Sequence, residues 1–170
     1  MDVAPAYSLH HMKRSSTIFL QAAIALIGIA ALAIMIRFPL TEGRAVNLDL
    51  FSIYADPFII YGYLASIAFF AALYQAFKLL GHIRHNKVFS LDSVKALRNM
   101  KYCAIVLGIL IAMAALYIRI FHAKDDDPAG FIAMAIVTVF ISIVVATAAA
   151  VFEKTLQSAV DMKSENDLTV

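Results

Sequence analysis

The sequence predicts an all-α polytopic membrane protein. Four transmembrane helices would form an antiparallel bundle, with a short amphipathic cytoplasmic helix before the third span, as a single membrane domain over residues 1–170. Three observations lead there. Of the 170 residues, 62% are hydrophobic and only 15% charged. Soluble domains average roughly 45–50% apolar and about 25% charged, so this chain cannot cover a water-soluble surface. The apolar residues gather into runs at about 17–36, 58–80, 102–118 and 131–152, each near the roughly 20 helical residues that cross a hydrocarbon core about 30 Å thick. Lipid offers no partner to backbone amides and carbonyls, so runs this long and this free of charge must be helical.

The first run starts at Thr17, after Lys13 and Arg14, and holds one amide, Gln21. Ala31-Leu32-Ala33 resembles a signal-peptide cleavage pattern. The run nevertheless exceeds the roughly 7–15 residues of a signal h-region, which favours a retained span. The loop that follows, 37–57, contains Leu48, Leu50, Phe51, Ile53 and Tyr54, apolar or amphipathic enough to form a short interfacial helix or strand-like segment. The second span opens with Asp56-Pro57 and the fourth with Asp127-Pro128. In each pair the acid caps the helix, and proline takes the first helical position, where its missing N–H costs nothing. Asp125 and Asp126 add negative charge at the positive pole of the fourth helix. A divalent-cation site there is the weaker reading, because three consecutive side chains diverge and no further acid is nearby.

Ahead of the third span, Ser90 caps a helix beginning at Leu91. Leu91, Val94 and Leu97 recur at spacing three beside a stripe of Lys95, Arg98 and Lys101. The pattern is amphipathic and interfacial, a basic collar that sets topology and offers Lys87, Lys95, Arg98 and Lys101 as candidate docking residues. Small residues recur four apart within the spans, at Ala104, Gly108 and Ala112 in the third and Thr138, Ser142, Ala146 and Ala150 in the fourth. They predict helix–helix seams, within a bundle or a homo-oligomer.

Charge sets the orientation. Ten cations fall on the side holding the N-terminus, the 79–101 connection with Lys78, and the C-terminal tail, and four on the other, while the twelve acids divide evenly. The excess predicts that both termini, the tails 1–16 and 161–170, are cytoplasmic.

Chemistry-bearing residues are sparse. No span carries a charged group near midplane, where proton- and ion-coupled transporters place one. His10, His11, His82, His85 and His122 all lie outside the spans, so no axial haem pair is predicted. His82 and His85 alone are too few for a metal. Cys103 is the sole cysteine, which excludes an intrachain disulfide; near the interface it reads as a small hydrophobe. Neither it nor Ser93 has a base nearby in sequence. The expectation is a non-enzymatic protein without cofactor or metal. A net charge of +2 gives no reason to expect direct nucleic-acid binding.

Several ordered motifs resemble one family. Met12-Lys13-Arg14-Ser15-Ser16-Thr17-Ile18-Phe19-Leu20 opens the match, and Tyr74-Gln75-Ala76-Phe77-Lys78-Leu79-Leu80 is one of its strongest segments. Asn86-Lys87-Val88-Phe89-Ser90, Ser93-Val94-Lys95-Ala96-Leu97 and Met100-Lys101-Tyr102-Cys103-Ala104 continue it. An acidic turn, Asp125-Asp126-Asp127-Pro128-Ala129-Gly130, and the ending Met162-Lys163-Ser164-Glu165-Asn166-Asp167-Leu168-Thr169-Val170 complete it. Together they resemble the bacterial membrane proteins of domain-of-unknown-function (DUF) family 2975, the YoaS-like group. The resemblance implies a four-span protein of the cytoplasmic membrane, often encoded beside a small Cro-type helix-turn-helix regulator.

The acidic tail closing in Leu168, Thr169 and Val170 could be captured as an added strand with its carboxylate in a backbone nest, although a frayed terminus is the simpler expectation. Two functions follow. The first is a membrane-bound regulator or anchor for a small helix-turn-helix transcription factor. The alternative is a small transporter, channel or permeability factor, with Gly62, Ser66, Thr138 and Ser142 lining a polar path.

Overall fold

The computed structural model describes residues 6–41, 49–85, 87–121 and 128–167. Five helices follow in order: α1 (Ala6–Thr41), α2 (Leu50–Tyr54), α3 (Pro57–Arg84), α4 (Leu91–Phe121) and α5 (Ala129–Asp167). No strand occurs among the described residues. The four long helices each contain a stretch apolar enough to cross a membrane. All four run past their apolar runs, and α5, at 39 residues, is about 58 Å long at 1.5 Å per residue.

Packing follows chain order. The α4–α5 seam is the most extensive, then α3–α4, then α1–α3, and among the described residues α1 makes no comparable contact with α4 or α5. Phe58 and Phe131 meet edge to face with ring centroids 5.6 Å apart, tying α3 to α5 where both helices begin.

The interior is built from small side chains. Ala104, Gly108 and Ala114 of α4 are buried, as are Ala135, Ser142, Ala146 and Ala149 of α5. Large residues face outward, Ile29 at 71% exposed and Phe140 at 65%, the surface that acyl chains cover. Apolar tails wet leucine as well as leucine does, so a membrane seam gains chiefly from close backbone approach. The two small-residue stripes of the sequence meet in this way: a Cβ on Gly108 would stand 3.3 Å from Ser142 Cβ.

The short helix expected before the third span does not stand apart. Residues 91–101 are the opening turns of the unbroken α4. Its apolar stripe is partly interior: Val94 and Leu97 are 2% and 4% exposed, while Leu91 stays exposed. Packing against the rest of the protein, rather than lipid headgroups, takes up that face. In the first loop the expected interfacial segment is the single turn α2, with Ile53 buried.

The caps can be located. Asp56 Oδ1 accepts from the amides of Phe58 at 2.7 Å and Ile59 at 3.4 Å, with Pro57 as the first residue of α3. Ser90 Oγ accepts from the Ser93 amide at 3.3 Å. Pro128 precedes α5, and its carbonyl accepts from the Ile132 amide at 3.0 Å; the helix begins at Ala129, one position later than expected and within the spread of helix boundaries. Asp127, Asp125, Asp126 and His122 lie outside the described residues.

Pro39 sits inside α1, where proline withdraws the amide that would bond the carbonyl four residues back. That carbonyl belongs to Met35, and the Tyr63 hydroxyl of α3 donates to it at 3.2 Å. Tyr54 donates similarly to the Ile36 carbonyl at 3.0 Å. Tyr63→Phe is therefore expected to lower stability by about 1 kcal/mol, the worth of a typical hydrogen bond. In a Pro39→Ala background, where the missing amide returns, thermal unfolding in detergent should show a smaller loss; an equal loss would mean that the proline is irrelevant to this contact.

Candidate functional site

Two polar side-chain clusters stand at the end of the helices where α3 ends, α4 begins and the polar part of α5 lies. The sequence places ten of its fourteen cations on this side, and it is called the basic end below. Two clusters organise it.

The first joins α3 to α4. Ser93, fully buried, donates its hydroxyl to the Lys87 carbonyl at 3.1 Å. With that proton committed, Ser93 Oγ can only accept from His82 Nδ1 at 3.0 Å and from Ser90 Oγ at 3.1 Å. The sequence showed no base near Ser93; the fold supplies His82 across the turn. The polarity is opposite to that of a nucleophile and its base, because the ring nitrogen facing Ser93 carries the hydrogen. The cluster holds residues 87–90 against α3: it satisfies the buried hydroxyl and fixes the angle at which α4 leaves α3.

The second cluster ties α4 to α5. Glu153 Oε1 accepts from Arg98 Nε at 2.7 Å, and Glu153 Oε2 from Lys101 Nζ at 2.7 Å. Side-chain exposure is 11% for Glu153, 21% for Lys101 and 50% for Arg98. Lys101 Nζ also stands 4.9 Å from the centre of the Tyr102 ring, within reach of a cation–π attraction. Glu153 is one residue past the apolar run 131–152. The hydrogen bonds from Lys101, then from Arg98, hold its carboxyl below the usual carboxylate range. The carboxylate takes one bond on each oxygen from a different cation, the short charge-assisted geometry that outweighs neutral hydrogen bonds.

Of the candidate docking cations, Arg98 and Lys101 are thus engaged within the protein, whereas Lys87 and Lys95 are exposed. Residues 161–167 are helical rather than extended, because α5 continues to Asp167. Leu168, Thr169 and Val170 lie outside the described residues. Within the spans, Ser66 Oγ donates to Tyr63 O, Thr138 Oγ1 to Met134 O and Ser142 Oγ to Thr138 O. Gly62 is exposed. No group of three potential metal ligands occurs among the described residues.

Sequence reasoning singled out both cations but missed Glu153, and a signal was present. The small-residue stripe Ser142, Ala146, Ala150 followed by a step of three reaches Glu153, just as steps of three back from Ala104 reach Lys101 and then Arg98. The seam that brings small residues together in the membrane brings these charges together where it leaves.

Fold and site define a class: a four-span helical membrane protein. The match to the family described as "Protein of unknown function (DUF2975)" covers residues 40–170, and the chain belongs to that family. It is 46% identical over 162 residues to the "Uncharacterized membrane protein YoaS" of Bacillus subtilis (strain 168), covering 94% of this chain and 100% of that protein. No solved structure matches.

Proposed function

We propose that this chain is a non-enzymatic anchor of the bacterial cytoplasmic membrane, with both termini in the cytoplasm. There it holds a small helix-turn-helix transcription factor and lowers the amount free to act. The observation that carries this reading is the length of α5. The helix continues 15 residues beyond Phe152 to Asp167, about 22 Å of helix past its apolar run. That extension bears Asp161 and Glu165 toward the tail, and acids suit the basic surface of a DNA-binding partner. The cation distribution supports the orientation, and the family resemblance supports the kind of partner.

The transporter alternative draws less support. The hydroxyls that would line a path donate to carbonyls of their own helices, a bonding pattern that leaves them little to offer a passing solute. Liposomes containing the purified protein should show no flux of ions or small cationic solutes above that of empty vesicles.

Pull-down from detergent-solubilised membranes tests the anchor. Removing residues 161–170 should reduce recovery of the helix-turn-helix partner about tenfold, the loss that a contact of about 1.4 kcal/mol gives. Unchanged recovery of every cytoplasmic partner would refute it. The orientation has its own check, in a chain with Cys103→Ala. A cysteine at Ser164 should resist a membrane-impermeant maleimide in intact cells and react after lysis.

A further inference from the structure

We propose that the groove between α4 and α5 binds one anionic phospholipid, with an acyl chain laid along the groove and the phosphate seated on the Arg98–Lys101 pair. The groove encloses about 580 Å³, floored by Ala104, Gly108, Ala112, Ala146 and Ala150 and ended by Lys101. Its origin is the seam itself: small residues draw the two helices together and leave a trough along their outer side. Two hydroxyls border it, and both are spent on their own helix, Ser142 on the Thr138 carbonyl and Thr147 on the Ile143 carbonyl. The trough therefore presents an apolar surface.

Length and charge select the occupant. Residues 101–112 rise about 16 Å, roughly half of the ~30 Å hydrocarbon core, so the groove is one leaflet deep. Lys101 immediately precedes the apolar run 102–118 and stands at the level of the headgroups. Two cations against one carboxylate leave the cluster at +1, and Arg98, half exposed, uses only its Nε on Glu153. Its remaining guanidinium N–H groups suit a phosphate. A phosphodiester with no cation of its own neutralises the cluster, whereas a choline headgroup brings a competing positive charge. A neighbouring shallow groove of about 370 Å³ shares Ala112, Val139 and Ile143 and is lined by no charged residue, so a headgroup is held at the Lys101 end alone. A second copy of this chain fits less well, because a symmetric pairing along the groove would set two +1 clusters beside each other.

Native mass spectrometry of the full chain, delipidated in a neutral detergent, tests the assignment. At equal mole fraction, dioleoylphosphatidylglycerol should be retained about fivefold more than dioleoylphosphatidylcholine, in keeping with one added cation contact. Filling the trough with Ala112→Leu and Ala150→Leu should abolish retention, and Arg98→Gln should erase the preference between the two lipids. Soluble glycerol phosphate should not compete. Four results would each overturn the proposal: equal retention of both lipids, full retention by the filled variant, complete competition by glycerol phosphate, or dimer ions that vanish when the trough is filled. Should circular dichroism show the filled variant unfolded, the wild-type lipid comparison and Arg98→Gln decide alone.

Discussion

Glu153→Ala will lower stability by about 2–3 kcal/mol, below the roughly 3–5 kcal/mol of a fully buried broken pair because Arg98 keeps half of its side chain in solvent. The loss arises less from the attraction removed than from what remains. Lys101 is left mostly covered, with no carboxylate, at the mouth of an apolar seam. Glu153→Gln should lose most of the same stability, since its amide keeps the shape but not the charge. Thermal unfolding in a neutral detergent measures both; a change within error for Glu153→Ala would show that the cluster contributes nothing.

Acid should reproduce part of this loss. The carboxyl of Glu153 is held below its ordinary range in the folded chain. Its contribution is therefore fully present above the unfolded value of about 4.3 and disappears as pH falls through the lower folded value. Stability in the wild type minus stability in Glu153→Gln should stay flat from neutral pH to about pH 5 and shrink below about pH 4. A difference that shrank instead as pH rose through the neutral range would assign it to another group.

Gly108→Leu is the second large effect. A Cβ at this position already comes within 3.3 Å of Ser142 Cβ, an atom fixed to the backbone of α5 that cannot rotate away. The rest of a leucine side chain must push α4 and α5 apart, opening the most extensive seam in the protein, at a cost of about 3 kcal/mol or more. Gly108→Ala is the graded control. It gains up to about 1 kcal/mol of helix propensity but must displace Ser142, so the net change should be small or unfavourable. With Ser142→Gly beneath it, Gly108→Ala should become favourable. A thermodynamic cycle across the four variants isolates that coupling; additivity would mean that the two residues do not touch.

How far the structure was legible in the sequence differs by level. The spans were readable because lipid imposes one local rule on every residue: each backbone group must bond within its own helix. The caps at Asp56 and Ser90 were readable for the same local reason. The paired stripes of Gly108 and Ser142 were visible as stripes, but nothing in one helix names its partner. Glu153 could have been placed on the buried face by extending its stripe one turn, yet the distance to Arg98 depends on how α4 and α5 cross. His82 near Ser93 escaped notice because the contact bridges the change of direction between α3 and α4, which no periodicity predicts. The stripe at Leu91, Val94 and Leu97 was visible as a spacing. That protein covers Val94 and Leu97 while Leu91 stays exposed was a tertiary matter.

By itself, then, the sequence determined that this protein lies in a membrane, crosses it as four helices and keeps charged groups away from the middle of the spans, because hydrocarbon acts on each segment separately. Only the tertiary structure decided that α1 rests on α3, that α4 and α5 close over small residues, and that Glu153 gathers Arg98 and Lys101 at the end of that seam. Those outcomes depend on distances between segments remote in the chain, and such distances exist only once the helices have packed.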